Sequence, residues 1–207
     1  MQVKLIGFTR GTDFEDPERL VEFAGRVCHR SEEKMGNDSQ REFIAKLKQW
    51  GHLSPLEHIS ATFFIRGISR ACSHQLVRHR LASYSQQSQR YVDESSFEYV
   101  TPPSVNGKEK EKIFRETMEI IKDQYGRLVA AGVPQEDARY LLPNACSTAI
   151  VVTMNARELR HFFQLRLHPS AQWEIREMAK TMLSLVKERA PSLFEDIYAK
   201  YLGDHPA

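Results

Sequence analysis

The sequence predicts an α+β fold: a single compact domain over residues 1–207, with a mixed or antiparallel sheet and a helix-rich second half. Short stretches near the N-terminus and in the middle of the chain alternate between apolar and polar residues, which is typical of strands. Longer stretches in the second half carry apolar residues at helical spacing. A chain of 207 residues with 41% hydrophobic content can bury about 70% of its unfolded surface.

The first quarter of the chain is predicted to hold one strand and two helices. Residues 3–7 alternate like a strand, and Asp16-Pro17 then places a capping carboxylate before a proline at the first position of a helix. A second helix is predicted to start at Ser39, because Ser39-x-x-Glu42 has the capping-box pattern, and to end at Gly51. Its predicted apolar stripe consists of Phe43, Leu47 and Trp50.

The middle of the chain is predicted to run from a strand through a helix into a loop. Residues 58–66 alternate as a strand whose apolar face carries Ile59, Ala61, Phe63 and Ile65. Ser69 can cap a helix to about residue 80, and the Ser/Gln-rich stretch that follows is predicted to be an irregular loop. Residues from 91 onward are predicted to be extended until Pro102-Pro103.

The second half is predicted to be mainly helical. Residues 108–131 form the longest predicted helix, Gly132 ends it, and Pro134 starts another. Residues 148–154 are β-branched enough for a buried strand, whereas residues 156–167 and 171–190 have helical patterns. The predicted apolar stripe of the longest helix consists of Ile113, Phe114, Ile121, Tyr125, Leu128 and Val129.

Charges are unevenly distributed along the chain. Between His58 and Val92 there are five arginines but no Lys, Asp or Glu, although the formal net charge is only +2. Residues 138–157 and 159–173 also lack acidic side chains. Guanidinium groups among hydroxyl and amide side chains suit phosphate and nucleobase recognition, so these segments predict contact with anions. The five arginines are Arg66, Arg70, Arg78, Arg80 and Arg90.

The helix predicted after Asn155 has two differently equipped faces. One stripe carries Arg157, His161, Gln164 and His168 at spacings of four, three and four residues. Arg166 falls instead on the apolar side, where a buried guanidinium must find a partner. The spacing alone leaves two interpretations open: a solvated face whose Arg166 reaches a neighbouring carboxylate, or two faces that meet two different ligands.

Several common sites are not indicated. The sequence contains no Gly-x-Gly-x-x-Gly, no P-loop and no His-Glu-x-x-His. His52 with His58, and His74 with His79, have spacings of six and five residues, which do not put both rings on one helical face, so no metal site is predicted. Ser83, Ser85 and Ser88 lack a nucleophile elbow and are interpreted as binding groups. The loop and helix carrying the arginines offer no carboxylate pair for acid–base chemistry.

The cysteines and the hydropathy pattern indicate a soluble cytoplasmic protein. Cys28, Cys72 and Cys146 form no Cys-x-x-Cys pair and are expected to be reduced, buried and unreactive. No stretch of 18 apolar residues is present, and the N-terminal apolar segment is too short for a signal peptide. We therefore expect no membrane association.

Two functional classes fit these observations. One is an enzyme that holds phosphorylated, base-bearing small molecules. The other is a single-stranded nucleic-acid binder that uses the Arg/Tyr-rich residues 66–91, with Tyr84, Tyr91 and Phe97 as stacking platforms. The near-neutral charge favours the enzyme, because nucleic-acid binders usually carry a large basic surplus.

The motifs and their order resemble the flavin-dependent thymidylate synthases, which also favours the enzyme. Arg78-His79-Arg80, seven further residues and Ser88 are similar to that family's signature, and Arg90-Tyr91 continues it. Residues 51–58 resemble the family's His-rich turn. The similarity extends over residues 36–190. The downstream matches, in order, are Arg139-x-Leu-Leu-Pro143, Asn155-Ala156-Arg157, Leu165-Arg166 and Ala171-Gln172-Trp173-Glu174-Ile175.

The resemblance implies a homotetramer, with sites shared between subunits, that methylates dUMP to dTMP. Methylenetetrahydrofolate would supply the carbon, and NADPH would supply electrons through FAD. Nucleic acid would not be a partner. Arg166 would be the catalytic residue that activates the uracil ring. The implied FAD-binding residues are Ser54, Arg78, His79, Arg80, Gln86, Asn155, Arg157 and His161, and the implied dUMP-binding residues are Gln75, Gln86, Ser88, Arg90, Arg139 and Arg166.

Two residues depart from the family's common pattern. Gln86 stands where some members have Glu, so this chain has no negative charge at that position. His161 stands where Asn is often found, and its ring retains a donor for FAD.

Overall fold

The computed structural model describes residues 1–203 and shows an α+β fold built on a four-stranded antiparallel sheet. The strands are β1 (Gln2–Phe8), β2 (Ser60–Ser69), β3 (Ala82–Gln86) and β4 (Ser147–Asn155), in the spatial order β1-β2-β4-β3. The described helices are α1 (Pro17–Val27), α2 (Ser39–Trp50), α3 (Arg70–Leu76), α4 (Lys108–Ala130), α5 (Gln135–Ala138), α6 (Ala156–Arg166), α7 (Trp173–Lys187) and α8 (Pro191–Leu202).

Hydrogen bonds at both ends of the central strand pair define its direction. The backbone N–H of Ala156 donates to the carbonyl of Ile59 (2.7 Å), whereas that of Arg70 donates to the carbonyl of Cys146 (2.9 Å). Because the C-terminal end of β4 meets the N-terminal end of β2, the two strands are antiparallel. The predicted α+β class and the antiparallel alternative for the sheet are confirmed.

Contacts within the chain define two units, and the sheet strands contribute to both. Unit 1 comprises Met1–Gln2, Ile65–Arg78 and Ser85–Ile150. Its satellite core contains Phe97, Met118 and Cys146, against which Phe114 and Ile121 of α4 pack. Unit 2 comprises Val3–Phe64, His79–Tyr84 and the chain from Val151 onward.

Part of the core of unit 2 is formed by α6, α7 and α8. Phe162 and Phe163 of α6 meet at 5.5 Å between ring centroids, and Phe163 meets Phe194 of α8 at 6.0 Å, both edge to face. These three rings are fully buried. They pack α6, the helix that carries Arg166, against α8.

Most of the predicted elements are confirmed within one to three residues at their ends. Asp16 caps α1, because its carboxylate accepts from the backbone N–H of Glu18 (2.8 Å), and Gly51 ends α2 in the left-handed region. The apolar face predicted for β2 is buried. α8 was not predicted; Pro191 occupies its first turn, and Leu193, Phe194 and Ile197 form its buried side.

Several local predictions are wrong. The Ser/Gln-rich stretch contains the strand β3, and the helix capped by Ser69 ends at Leu76, well before residue 80. Turns and bends at residues 91–92 and 95–96 interrupt the segment predicted to be extended, whereas residues 97–102 contain neither and form one bridge, between Tyr99 and Cys146. These segments carry polar side chains whose strand or turn pairing depends on residues far along the chain.

Two predicted features of the helices also differ from the structure. Ser39 forms no capping box: its hydroxyl donates to Glu22, and Asp38 precedes α2 without a side-chain cap. Trp50 and Ile113, which were predicted to lie on apolar stripes, are each 60% or more exposed. Among residues 1–203, no helix is both long enough and apolar enough to span a membrane.

Candidate active site

A buried histidine is the centre of the polar cluster in unit 2. His79 precedes β3 and is 5% exposed. Its Nδ1–H donates to Oε1 of Glu158 (3.1 Å), and its Nε2 accepts from Nε–H of Arg166 (3.1 Å). A guanidinium can only donate, so Nε2 of His79 carries no proton and Nδ1 does. The three side chains therefore form a continuous chain, Glu158–His79–Arg166, through a neutral imidazole.

The surroundings of His79 favour the same neutral form. Burial lowers the pKa of His79; the hydrogen bond to Glu158 opposes this effect, and the charge of Arg166 adds to it. The net direction is downward, so the imidazole is neutral at pH 7. The hydroxyl of Tyr84 donates to the carbonyl of His79 (2.7 Å), and burial raises the pKa of Tyr84 to about 12, so that hydroxyl keeps its proton.

Helix α6 supplies most of the side chains around the imidazole. The Phe162 ring meets the His79 ring edge to face at 4.9 Å, and His161 lies 5.9 Å away between centroids. Asn155 begins the helix, and its side-chain oxygen accepts from the backbone N–H of Glu158 (2.9 Å). This cap directs the first turn of α6, and Glu158 with it, towards His79.

The two faces predicted for α6 are present. Arg157, His161, Gln164 and His168 are all exposed, whereas Arg166 is half-buried. Arg157 donates to Oε1 of Glu57 (2.6 Å), a carboxylate one hundred residues earlier in the chain. Arg166 donates a hydrogen bond to the neutral ring of His79, so a carboxylate is not required as its partner at that nitrogen. The exposed stripe is thus partly an ion pair rather than a row of unpaired donors.

The signature arginines on either side of His79 are both exposed. Among the residues that the structure describes, Arg78 and Arg80 form no ion pair or hydrogen bond. Ser54, also exposed, begins a short 3-10 helix at Ser54–His58. Arg80 and Ser54 belong to unit 2 and Arg78 to unit 1. Exposed guanidinium groups without carboxylate partners suit the phosphate groups of a ligand.

Unit 1 holds a second group of the predicted site residues. Arg90 forms an ion pair with Oε2 of Glu136 (2.8 Å), and Nε of Arg139 donates to the backbone carbonyl of Glu136 (2.9 Å). Arg90 and Arg139 therefore both contact Glu136. The hydroxyl of Ser88 accepts from the backbone N–H of Arg90 (3.1 Å), which places Ser88 beside them.

Gln86 and Gln75 complete the predicted set in unit 1. The amide of Gln86, the last residue of β3, donates to the hydroxyls of Ser73 (2.9 Å) and Thr148 (3.3 Å). Gln75 is half-buried on α3. These two hydrogen bonds to neutral hydroxyls orient the Gln86 amide. A carboxylate at this position could keep both contacts only if both hydroxyls donated to it.

Arg70 lies in the same unit with an unsatisfied donor. Its Nη2 donates to the carbonyl of Gln87 (2.7 Å), but its buried Nε has no hydrogen-bond partner. Burial lowers the pKa of Arg70, and the nearby carboxylate of Glu94 opposes that effect. A buried guanidinium donor without a protein acceptor is costly, so this side of Arg70 is under-satisfied within the described residues.

Three carboxylates of these clusters were not predicted from the sequence. Glu57, Glu136 and Glu158 each contact a predicted site residue, although the arginine-rich segments contain no acidic residue of their own. Only Glu158 had a local signal, because Asn155-x-x-Glu158 has a capping pattern at a helix start. Its carboxylate bonds His79 instead of completing a capping box.

The cysteines form no disulfide, and one of them differs from the prediction. All three are free; Cys72 and Cys146 are buried as predicted, but Cys28 is exposed. Burial raises the pKa of the Cys146 thiol to about 12, so it stays protonated and is a poor nucleophile. Within residues 1–203, no three His, Cys, Asp or Glu side chains are grouped so that they could hold a metal ion.

Comparison with known proteins assigns the chain to a family. Residues 5–192 match the family described as thymidylate synthase complementing protein. A flavin-dependent thymidylate synthase from Geobacter sulfurreducens is 53% identical over 190 residues, covering 87% of this chain and 82% of that protein. One from Clostridium tetani is 42% identical over 218 residues, covering 94% and 86%, and one from Sulfurisphaera tokodaii is 46% identical over 212 residues, covering 98% and 78%. The chain therefore belongs to the thymidylate synthase complementing protein family, that of the flavin-dependent thymidylate synthases.

Proposed function

We propose that this chain is a flavin-dependent thymidylate synthase that converts dUMP to dTMP by reductive methylation. The relatives that carry this enzyme name match most of the chain. The structural observation that carries the proposal is the half-buried Arg166, whose Nε–H is held by the neutral ring of His79 (3.1 Å). A guanidinium oriented in this way suits a flat ligand that develops negative charge.

Arg166 is the catalytic residue of the proposed reaction. Because His79 is neutral, their hydrogen bond orients the guanidinium without cancelling its charge. A fixed positive group stabilises an anion that forms in the transition state more than it stabilises the neutral substrate. Arg166 thereby stabilises negative charge on the uracil ring and makes its C5 electron-rich. The buried, protonated thiol of Cys146 agrees with a reaction that needs no cysteine nucleophile.

The residues proposed to hold FAD have donors that fit its phosphates and polar ring atoms. Arg78 and Arg80 are exposed guanidinium groups, and His161 presents an exposed ring next to His79. When bound, FAD supplies hydride chemistry that no side chain can provide. NADPH is the proposed reductant, and methylenetetrahydrofolate is the proposed carbon donor. The full proposed FAD set is Ser54, Arg78, His79, Arg80, Gln86, Asn155, Arg157 and His161.

The residues proposed to hold dUMP combine cations with neutral donors. Arg90 and Arg139, which meet at Glu136, bind the phosphate. Ser88 and Gln86 donate hydrogen bonds to the nucleotide. The full proposed dUMP set is Gln75, Gln86, Ser88, Arg90, Arg139 and Arg166.

We propose a homotetramer whose sites combine residues from several subunits. A site shared between subunits cannot exist in a monomer, so FAD binding and oligomerisation should be lost together on dilution. Light scattering of the flavin-loaded protein tests this expectation, and a monomer that turns over dUMP would contradict it. The three free cysteines fit the proposed cytoplasmic location, where thiols stay reduced.

The visible spectrum of the purified protein tests the proposed function. Protein mixed with FAD and desalted should be yellow, and NADPH should bleach it under anaerobic conditions, faster when dUMP is present. A protein that stays colourless and binds oligonucleotides instead, with an affinity that falls steeply with salt, would favour the nucleic-acid alternative.

A further inference from the structure

The carboxylate of Glu158 has no role in the function proposed above, yet it sits in the cluster around Arg166. We propose that Glu158 is a positioning residue: it holds His79 in the Nδ1–H tautomer and thereby keeps Nε2 available to orient the guanidinium of Arg166. The inference rests on the proposed function, since it takes Arg166 as the group that meets dUMP.

The burial of Glu158 is the first argument. Glu158 is 7% exposed and lies in the first turn of α6. A buried carboxylate is costly unless it is paired, so its position needs a specific partner. At the third position after a capping Asn, a Glu side chain often reaches back to the N–H of the capping residue. Here Oε1 of Glu158 accepts from Nδ1–H of His79 instead (3.1 Å).

The two ends of the imidazole are linked by its tautomer. A carboxylate can only accept, so contact with Glu158 requires the proton of the neutral ring to be on Nδ1. Nε2 must then be an acceptor, which is what the Nε–H of Arg166 requires. In the other tautomer, Nε2–H and the guanidinium N–H would face each other as two donors. Glu158 therefore selects the only neutral form of His79 that can hold Arg166.

The imidazole of His79 connects two residues that lie more than two turns apart on α6. Glu158 and Arg166 are eight residues apart, which corresponds to a rise of about 12 Å along the helix. His79 bridges them from outside the helix, while Phe162 and His161 flank its ring. In such a buried setting each hydrogen bond is stronger than in water, so one bond can polarise and fix the next.

A purely structural role for Glu158 predicts something different. Acidic side chains in a helix's first turn stabilise the helix through its dipole, wherever the helix lies. Glu18 offers a matched control, because it is also a first-turn glutamate, is 5% exposed, and bonds the backbone N–H of Ser192 (2.6 Å) at the start of α8. It has no contact with His79, so a comparison of the two glutamates separates positioning from stability.

The first measurement compares Glu158→Met, Glu158→Gln and Glu18→Met in the full-length, FAD-loaded enzyme. Methionine keeps the side-chain volume but removes the acceptor, so Glu158→Met should lower kcat about tenfold to hundredfold with a much smaller change in the KM for dUMP. Glu158→Gln keeps an acceptor oxygen and should recover most of kcat. Glu18→Met should lower the Tm without a comparable change in kcat.

The second measurement does not depend on activity. Nitrogen NMR of ¹⁵N-histidine-labelled protein without ligands distinguishes protonated from unprotonated ring nitrogens, with the His79 signals assigned from a His79→Gln sample. Wild-type protein should show the proton on Nδ1, and Glu158→Met should shift the signals towards the other tautomer. Glu158→Gln and Glu18→Met should both resemble wild type.

The outcomes separate this inference from the proposed function. A wild-type His79 with its proton on Nε2 overturns the inference, even if Glu158→Met fails to fold. It is also overturned if Glu158→Met and Glu18→Met change kcat equally while the His79 signals stay unchanged. If wild-type protein makes no dTMP at all, the proposed function fails, and the NMR comparison alone decides whether Glu158 controls the ring that holds Arg166.

Discussion

Replacing Arg166 removes the positive charge that is proposed to stabilise the uracil anion. Removing a preorganised donor to a developing anion usually costs a factor of about 10² to 10³ in rate, or about 2.7 to 4 kcal/mol. Arg166 is half-buried rather than fully buried, so water screens part of its field, and we expect Arg166→Ala to lose about 10² in dTMP formation. FAD should stay bound, and NADPH oxidation should persist.

Two further variants make the Arg166 result specific. Arg166→Lys should restore little activity, because an ammonium keeps the charge but lacks the planar fork whose Nε–H meets His79. Arg176→Ala is the matched control. Arg176 lies on α7 and is also half-buried, but its guanidinium donates to the backbone carbonyl of Pro169 (2.8 Å) rather than to His79. It should retain its rate of dTMP formation.

One assay should follow NADPH loss and dTMP gain together for each variant. Uncoupling, in which NADPH is consumed without dTMP, is the expected signature of Arg166→Ala. Formation of dTMP by Arg166→Ala at nearly the normal rate would rule out Arg166 as the catalytic residue. If Ser88→Ala abolishes dTMP at saturating dUMP in the same assay, Ser88 must be considered as the attacking group.

Three smaller predictions concern binding and stability. Ser88→Ala should weaken dUMP binding by about 1 to 3 kcal/mol in calorimetry, while dTMP still forms at saturating dUMP. Glu136→Gln should tighten dUMP binding by up to about 1 kcal/mol at low salt, because it releases the exposed Arg90 from a competing carboxylate (2.8 Å); unchanged or weaker binding would argue against Arg90 as a phosphate ligand. Burial alone would raise the pKa of Asp196, but the hydrogen bonds from Arg160 outweigh burial and hold that pKa well below its ordinary range. Such a carboxylate stabilises the fold above its unfolded-state pKa of about 3.9. Asp196→Asn should therefore lower the free energy of unfolding in urea by about 1 to 2 kcal/mol at pH 7, and this loss should shrink as the pH falls below about 4. A loss that does not change with pH would contradict the ion pair.

Local patterns were sufficient to predict the elements whose burial is decided within a few residues. β2 alternates from Ser60 to Arg66, and Ala61, Phe63 and Ile65, with Ile59 just before the strand, are all buried as the pattern requires. The long helix α4 also lies where its period places it, from Lys108 to Ala130. In such segments one side of the element meets the core, so the sequence spacing carries the information.

Other elements depended on partners far along the chain. β3 has the sequence Ala-Ser-Tyr-Ser-Gln, which lacks a hydrophobic face, and it forms at the sheet edge beside β4, where the backbone N–H of Gln87 donates to the carbonyl of Ala149 (2.9 Å). Strand propensity cannot reveal this pairing, because a polar edge strand is stabilised by its neighbour's backbone. The same holds for Trp50, whose helical position matched an apolar stripe but faces outward.

The site was predicted unevenly for a related reason. The arginine signature and the two faces of α6 follow from residue types and spacing. The pairing of Arg157 with Glu57, and of Arg90 with Glu136, joins residues 100 and 46 positions apart, and no local pattern predicts such distances. The acid-poor segments therefore indicated where cations gather but not which carboxylates accompany them.

Formation of dTMP from dUMP is the most direct test of the central claim. Purified protein should be incubated anaerobically with dUMP and methylenetetrahydrofolate, with FAD and NADPH added or omitted separately, and the nucleotides separated and quantified. We expect dTMP only when both FAD and NADPH are present, and much less of it with Arg166→Ala. Undiminished dTMP formation by flavin-free protein, or no dTMP from flavin-loaded wild-type protein, would contradict the account.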